Sequence, residues 1–219
     1  MVAVVLRVTS SNRCLRRKEN GWLMPKLSDG NMKLLLASNS PRRRELLAGL
    51  DIPMEVVKLK DIDETHPAHL QGADIPLHIA RLKMEAYDME LAEGEVLVTA
   101  DTIVWCENEE MGKPKDAADA HRMLRALSGR THQVYTAVCL RSAVDHVEFV
   151  CGTDVTFAEL TDEQIDYYIA QYKPFDKAGA YGIQEWIGYV GVTRLEGSYF
   201  NVMGLPVQKL YTALQNLKM

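Results

Sequence analysis

The sequence predicts an α/β or mixed α+β protein, and three observations carry that prediction. Short apolar runs interleave with segments of helical period from about residue 33 onward. The helical segments open on capping residues, as Ser40-Pro41 and Thr161-Asp162-Glu163-Gln164 do. Between Thr131 and Leu160 two long β-rich stretches are broken only near Ala143-Val144-Asp145, which predicts a hairpin.

The elements follow in order. Leu34-Leu35-Leu36-Ala37 reads as a buried strand. Ser40 stands where an N-cap belongs and Pro41 at the first helical position, so a helix runs to Leu50. Met54–Leu59 reads as a second strand, and Pro76 opens a helix whose Ile75, Ile79, Leu82 and Ala86 recur at helical spacing. Glu95–Ala100 is a strand that places Asp101 at its carboxyl end. Asp116 caps a helix through Leu127 that Gly129 ends. After the hairpin, a capping box at Thr161 starts a helix to Gln171. A Gly-rich loop, Lys177–Gln184, leads to a strand expected over Trp186–Leu195. Pro206 starts a terminal helix with Val207, Leu210, Leu214 and Leu217 on one side.

The chain is long enough for one sizeable domain or two small ones, and no run of eighteen apolar residues offers a membrane span. Its net charge of −5 is uneven. Residues 1–31 hold six Lys/Arg against two acids, while the rest holds 19 against 28. So acidic a body is a poor general binder of nucleic acid, and any phosphate it takes must be gripped locally. The first 31 residues show no sustained period, and their apolar start precedes the basic residues, the wrong order for a secretory signal. They read as a disordered or added extension, with the domain over 32–219. Cys14, Cys106, Cys139 and Cys151 lack CxxC spacing and read as idle thiols of a reducing compartment, the cytoplasm. The six histidines read as surface residues, with no ligand spacing beyond His66-Pro67-Ala68-His69.

Three constellations carry chemistry. Ser38, Ser40 and Arg42-Arg43-Arg44 lie where a buried strand passes into a helix. A helix N-terminus presents free N–H groups and partial positive charge, and Arg matches phosphate bidentately. An N-capped helix with a solvated basic face is the bland alternative. No GxxxxGK[ST] is present, so this is not a Walker-type loop. Asp101-Thr102 can hold a divalent cation or activate water, and Lys113-Pro114-Lys115 can meet phosphate oxygens. Asp61-Ile62-Asp63-Glu64-Thr65 matches the DxDxT of aspartyl-nucleophile phosphotransferases. It can also be an acidic loop from which Glu64 reaches a metal site.

Taken together these blocks resemble the Maf family of nucleoside triphosphate pyrophosphatases, named for septum-formation inhibition. The resemblance runs from about Lys33 to the C-terminus. It is carried by Leu36–Arg43, Ala100–Val104, Gly112-Lys113-Pro114, Leu127–His132, Asp176–Gln184 and Val202–Pro206. It implies an elongated mixed sheet flanked by helices, with a nucleotide cleft between two lobes, like inosine-triphosphate pyrophosphatases. It implies hydrolysis of a triphosphate to monophosphate and pyrophosphate with a divalent metal, magnesium or manganese.

By position, Ser38, Ser40, Arg42 and Arg43 would hold phosphates, with Arg44 a solvated neighbour. Lys83 and Lys113 would neutralise them, Asp101 and Glu64 (or Asp63) would bind metal or activate water, and Gln184 would contact the base or the metal-bound centre. Lys83 is followed by Met84 where the family has alanine. The Tyr181-Gly182-Ile183-Gln184 form and Thr153–Phe157 resemble the branch acting on dTTP and UTP. The resemblance also implies a homodimer, while the acidic body and the lack of an apolar span predict neither nucleic acid nor membrane as partner. Two other readings stand beside it: a nucleotide-sensing regulator of cell division with little turnover, and an aspartyl-nucleophile phosphatase working through Asp61 and Asp63.

Overall fold

The computed structural model describes residues 32–219; the expected extension over 1–31, with Cys14, lies outside the described residues. In chain order the elements are β1 (Lys33–Leu36), α1 (Pro41–Ala48), β2 (Met54–Val56), α2 (Asp74–Glu85) and β3 (Glu95–Cys106). Then come β4 (Glu109–Met111), α3 (Ala117–Leu127), β5 (Thr131–Arg141), β6 (His146–Phe157) and α4 (Asp162–Tyr172). The chain closes with α5 (Trp186–Gly191), β7 (Val192–Glu196), α6 (Tyr199–Met203) and α7 (Val207–Asn216). The strands form one mixed seven-stranded sheet in the order β2-β1-β3-β5-β6-β7, with β4 hairpinned onto the end of β3. This is an α/β fold of the predicted class.

The long strand β3 organises the molecule. Its start is parallel to β1, from Lys33 opposite Glu95 to Leu36 opposite Val98, and from Leu97 to Trp105 it pairs antiparallel with β5. Around the first half, apolar side chains pack on both faces. Leu34, Leu36, Val96 and Val98 meet α1 and α7 through Leu47, Leu210 and Leu214. On the other face Leu35, Leu97 and Cys139 meet Ala80 and Met84 of α2. The second half packs separately, with Val104, Phe157 and Val155 against Leu124 of α3, Ile165 and Tyr168 of α4, and Ile187 of α5.

The predicted caps are present. Ser40 accepts from the Arg43 amide, Asp116 from that of Asp119, and Thr161 and Gln164 close a reciprocal capping box. A cap of this kind contributes about 1 kcal/mol. That matters most for α1, which buries only Leu47.

Four expectations are corrected. Asp101 does not end a strand; β3 runs on to Cys106 because β5 supplies hydrogen bonds beyond the point where β1 stops. The strand expected over Trp186–Leu195 is a short helix, α5, followed by β7. Its β-branched and aromatic content is overridden by tertiary contact. A Cβ on Gly188 would stand 1.8 Å from the Ile183 carbonyl oxygen, so the helix turns back directly on the loop before it. The strand expected over Met54–Leu59 pairs only through Val56. Finally, His132 is not at the surface but fully buried. Among the described residues, Cys106, Cys139 and Cys151 are free thiols, and no helix is long and apolar enough to cross a membrane.

Candidate active site

A cleft of about 760 Å³ opens between the two packed regions, and every site residue expected from the sequence lines it. Its floor is the middle of β3. That strand is buried from Val96 to Ala100, half-exposed at Asp101 and Thr102, and buried again at Ile103. The strand crosses from one core to the other at these two residues, so Asp101 faces the cleft just past the end of the parallel ladder.

One wall is the start of α1. Ser38 Oγ accepts from the Ser40 amide at 3.2 Å, and Ser40 Oγ accepts from the Arg43 amide at 3.4 Å. The two hydroxyls therefore fix the loop into the helix start. Arg43 turns inward. Its guanidinium donates to the Gly204 carbonyl at 2.9 Å, the Ala100 carbonyl at 2.8 Å, Thr102 Oγ1 at 2.9 Å and Ser38 Oγ at 3.4 Å. With four of its donor directions taken, Arg43 works as a tie between α1, β3 and the turn after α6. Burial presses its pKa down, and the Asp101 charge is the strongest influence opposing that. Arg42 instead points across the cleft, where its Nη1 meets Asp176 Oδ2 at 3.1 Å. Arg44 is exposed.

At the centre, Lys83 from α2 sets its ammonium 2.8 Å from Asp101 Oδ1 and 3.2 Å from Glu64 Oε1. Lys83 and Asp101 are 12% and 14% exposed and Glu64 is 51% exposed, so the cluster runs from protein interior to open cleft. Between the two carboxylates weighed for this place, the structure brings Glu64 and not Asp63 to Lys83. Asp63 is spent locally: its Oδ1 accepts the Thr65 amide at 2.9 Å, which holds its carboxyl below the usual range. Lys113 lines the cleft from the turn after β4 and is exposed.

The far wall is the loop Asp176–Glu185. Its single 3-10 turn, Ala178–Ala180, lies on β3: Gly179, at φ +67°, would put a Cβ 2.9 Å from Val104. Behind it Tyr181, His132 and Phe157 pack edge to face, with centroids 5.0 to 5.4 Å apart. Tyr181 Oη and His132 Nε2 share a hydrogen bond of 2.8 Å. Burial drives the His132 pKa down to about 4, so the ring is neutral at pH 7. Gln184 reaches the cleft with its Oε1 buried and without a protein partner.

The sequence reading assigned no role to several residues of this wall. Asp176 and Lys177 line the cleft, and Glu185 and Tyr168 stand behind them. For Asp176, burial pushes the carboxyl up, but Lys177 and Arg42 outweigh it and hold the pKa below the usual range. Asp176 and Lys177 belong to a block that carries the family resemblance, whereas Tyr168 and Glu185 lie outside it. Lys58 and Lys60 also line the cleft, on the side of Glu64, as does His66, which bonds Glu110 at 2.8 Å.

A cation-lined cleft with paired carboxylates at its centre suits hydrolysis of a phosphate chain, and known proteins agree. A family model described as Maf-like protein matches residues 33–217. A protein of Phocaeicola vulgatus named dTTP/UTP pyrophosphatase is 58% identical over 185 residues, covering 84% of this chain and 96% of that one. Proteins of the same name from Parabacteroides distasonis and Bacteroides thetaiotaomicron are 55% and 51% identical, over 84% of this chain and 95% and 96% of theirs. Solved Ham1 proteins from Coxiella burnetii and Staphylococcus aureus are 16% and 15% identical, with TM-scores of 0.47 and 0.48. They cover 84% of this chain and 99% and 98% of theirs, and so distant a likeness carries no weight for the site.

Proposed function

The chain belongs to the Maf family, and from that premise we propose that it hydrolyses nucleoside triphosphates, dTTP and UTP foremost, to the monophosphate and pyrophosphate. The observation that carries the reading is the Lys83 ammonium set between Asp101 and Glu64 on the floor of a cleft walled by Arg42. Carboxylates facing a phosphate chain repel it unless a cation lies between. They are of use where a proton must be removed and charge must be balanced. A regulator with little turnover is therefore not favoured.

Water oxygen bonds to the α-phosphorus, the bond from that phosphorus to the bridging oxygen breaks, and the electron pair leaves with pyrophosphate. Asp101 takes the proton of the attacking water, and Lys83, 2.8 Å away, fixes the carboxylate's direction. Charge gathers on the phosphate oxygens as the leaving group departs, so Arg42, Lys83 and Lys113 act by position and electrostatics. The dipole of α1 adds a fixed positive end, with the Arg42 amide free there, since Pro41 has no N–H and those of Arg43 and Arg44 donate to Ser40. Arg43 and Ser38 keep that end in place.

A divalent cation, magnesium or manganese, belongs to the same proposal. The donors suit it in kind: Asp101 and Glu64 are hard oxygen donors, and both lie beside the Lys83 ammonium. Magnesium is commonly held by one or two carboxylates plus substrate phosphates. Among the described residues no cluster of three or more His, Cys, Asp or Glu forms a self-sufficient cage, consistent with phosphate oxygens completing the shell. Such an ion would supply charge neutralisation and a more acidic water. Residues 32–219 are then the catalytic unit, working in the cytoplasm on free nucleotides, as a homodimer.

A nucleotide panel with product identification tests this. Monophosphate and pyrophosphate from UTP and dTTP are expected, with slower turnover of CTP and ATP. Direct release of orthophosphate, through a covalent aspartyl intermediate, would favour the Asp61 reading and overturn this one. Tight binding without turnover would restore the regulator.

A further inference from the structure

Behind the far wall lies a set of buried polar contacts that the hydrolytic chemistry does not use. Tyr168 of α4 is fully buried, and its hydroxyl donates to Glu185 Oε2 while accepting the Gly182 amide at 3.0 Å. Glu185 Oε1 meets the Lys177 ammonium at 3.1 Å, and Lys177, only 9% exposed, also meets Asp176 at 2.7 Å. The Glu185 amide donates to the Gly182 carbonyl at 2.9 Å. A Cβ on Gly182 would stand 2.9 Å from the Glu185 carboxyl carbon, so the turn has no slack. The loop is thus tied at its start, middle and end to one phenol on a core helix.

Gln184 sits inside that tied turn, and neither Tyr168 nor Glu185 lines the cleft. A buried amide oxygen without a partner is costly to keep. The turn that carries Gln184 is fixed from behind through Gly182 and Glu185, and the Gln184 Oε1 lies at the cleft wall without a protein partner. A bare acceptor at the cleft wall matches a base edge that donates. Uracil and thymine carry N3–H between two carbonyls, whereas N3 of cytosine is itself an acceptor.

Building on the proposed hydrolysis, we infer that Tyr168 and Glu185 are positioning residues for base selection. They hold the Gln184 acceptor against the N3–H edge of a uracil-type base without touching the substrate. Discrimination by a placed hydrogen bond is strong because the wrong base leaves a buried group unpaired. It is also fragile to loss of placement, whereas phosphate chemistry at the other end of the cleft is not.

The test compares kcat/KM for UTP and CTP in the full chain and in Tyr168→Phe, Glu185→Gln and Glu185→Ala, with thermal melting in parallel. In Tyr168→Phe the UTP-to-CTP ratio should fall by roughly tenfold, through a higher KM for UTP, while the slow turnover of CTP is unchanged. Glu185→Gln, which keeps an acceptor for the phenol, should retain more of the ratio than Glu185→Ala. If Tyr168→Phe does not fold, the two Glu185 variants decide alone. Loss of both nucleotides in equal proportion would mark a merely structural role and overturn the inference. A wild-type protein with no preference for UTP overturns the underlying reading as well. A discriminating wild type whose variants discriminate equally overturns the inference alone.

Discussion

On the proposed reading the cleft has a phosphate end and a base end, and the two are built by opposite means. At the phosphate end, charged side chains project from regular elements, α1, α2 and β3, and pair at 2.8 to 3.2 Å in partly wet surroundings. At the base end a loop is packed over buried aromatic rings and fastened by hydrogen bonds to Tyr168 and among its own residues. The contrast follows from what each end must recognise. A phosphate chain is highly charged but nearly the same in every nucleotide, so charge on a rigid frame suffices. A base is neutral and differs from its competitors by one donor or acceptor, so it has to be met by placed, dry groups.

Substitutions can break or sharpen this contrast. The largest effect is expected at the phosphate end: Asp101→Asn should lower kcat by about 10²–10⁴-fold. Nucleotide affinity by calorimetry should stay within a few-fold. Near-normal turnover in that variant would remove Asp101 from the chemistry. Lys83→Met, which keeps the volume but not the charge, should cost kcat on the order of 10² with every nucleotide alike. A loss confined to one base would blur the division between the ends.

At the base end the expected effects are on stability and selectivity. Gly188→Ala forces a Cβ onto the Ile183 carbonyl and should destabilise by about 1–3 kcal/mol. In thermal melting that is a fall of roughly 2–4 °C per kcal/mol for a chain of this size.

The smallest effect at neutral pH concerns His132, whose pKa falls from 6.5 to about 4 on folding. Between those values the unfolded chain binds the proton and the folded one does not, so stability rises with pH through this window. The contribution is fully present above pH 6.5 and lost as pH falls toward 4, by up to roughly 3 kcal/mol. Denaturant titrations at pH 7 and pH 5 should show a shallower acid loss in His132→Gln than in the wild type. Equal slopes would mean that the ring stays wet.

The same contrast decides what could be read in the sequence. Phosphate-end residues lie in short contiguous blocks whose side chains advertise their chemistry, and the cap at Ser40 announced where α1 starts. The choice of Glu64 over Asp63 was not legible, because it depends on which carboxylate reaches Lys83 across the fold. Nor was the inward turn of Arg43, set by carbonyls at Ala100 and Gly204 far along the chain. Asp101 could be singled out, but not its place in mid-strand, since the ladder that ends beside it belongs to β1. At the base end, Tyr168 and Glu185 look like ordinary residues of a helix and a turn. Only their meeting around Gly182 gives them a part. His132 likewise lies in an alternating strand, and its burial comes from Phe157 and Tyr181, each brought in from elsewhere.

The strand β3 runs under both ends without a break, and Gly179 of the far loop rests on Val104 while Asp101 faces the cleft. Asp101 and Val104 are three residues apart, about 10 Å at the rise of a strand. A hydrogen-bonded strand in mid-sheet does not stretch, so the span works as a ruler. A nucleotide seated by its base is offered to Asp101 at one fixed distance, whatever the length of its phosphate tail. On the proposed reading, the bond that breaks is chosen by counting from the base, and a shorter or longer phosphate chain would be cut at the same phosphorus.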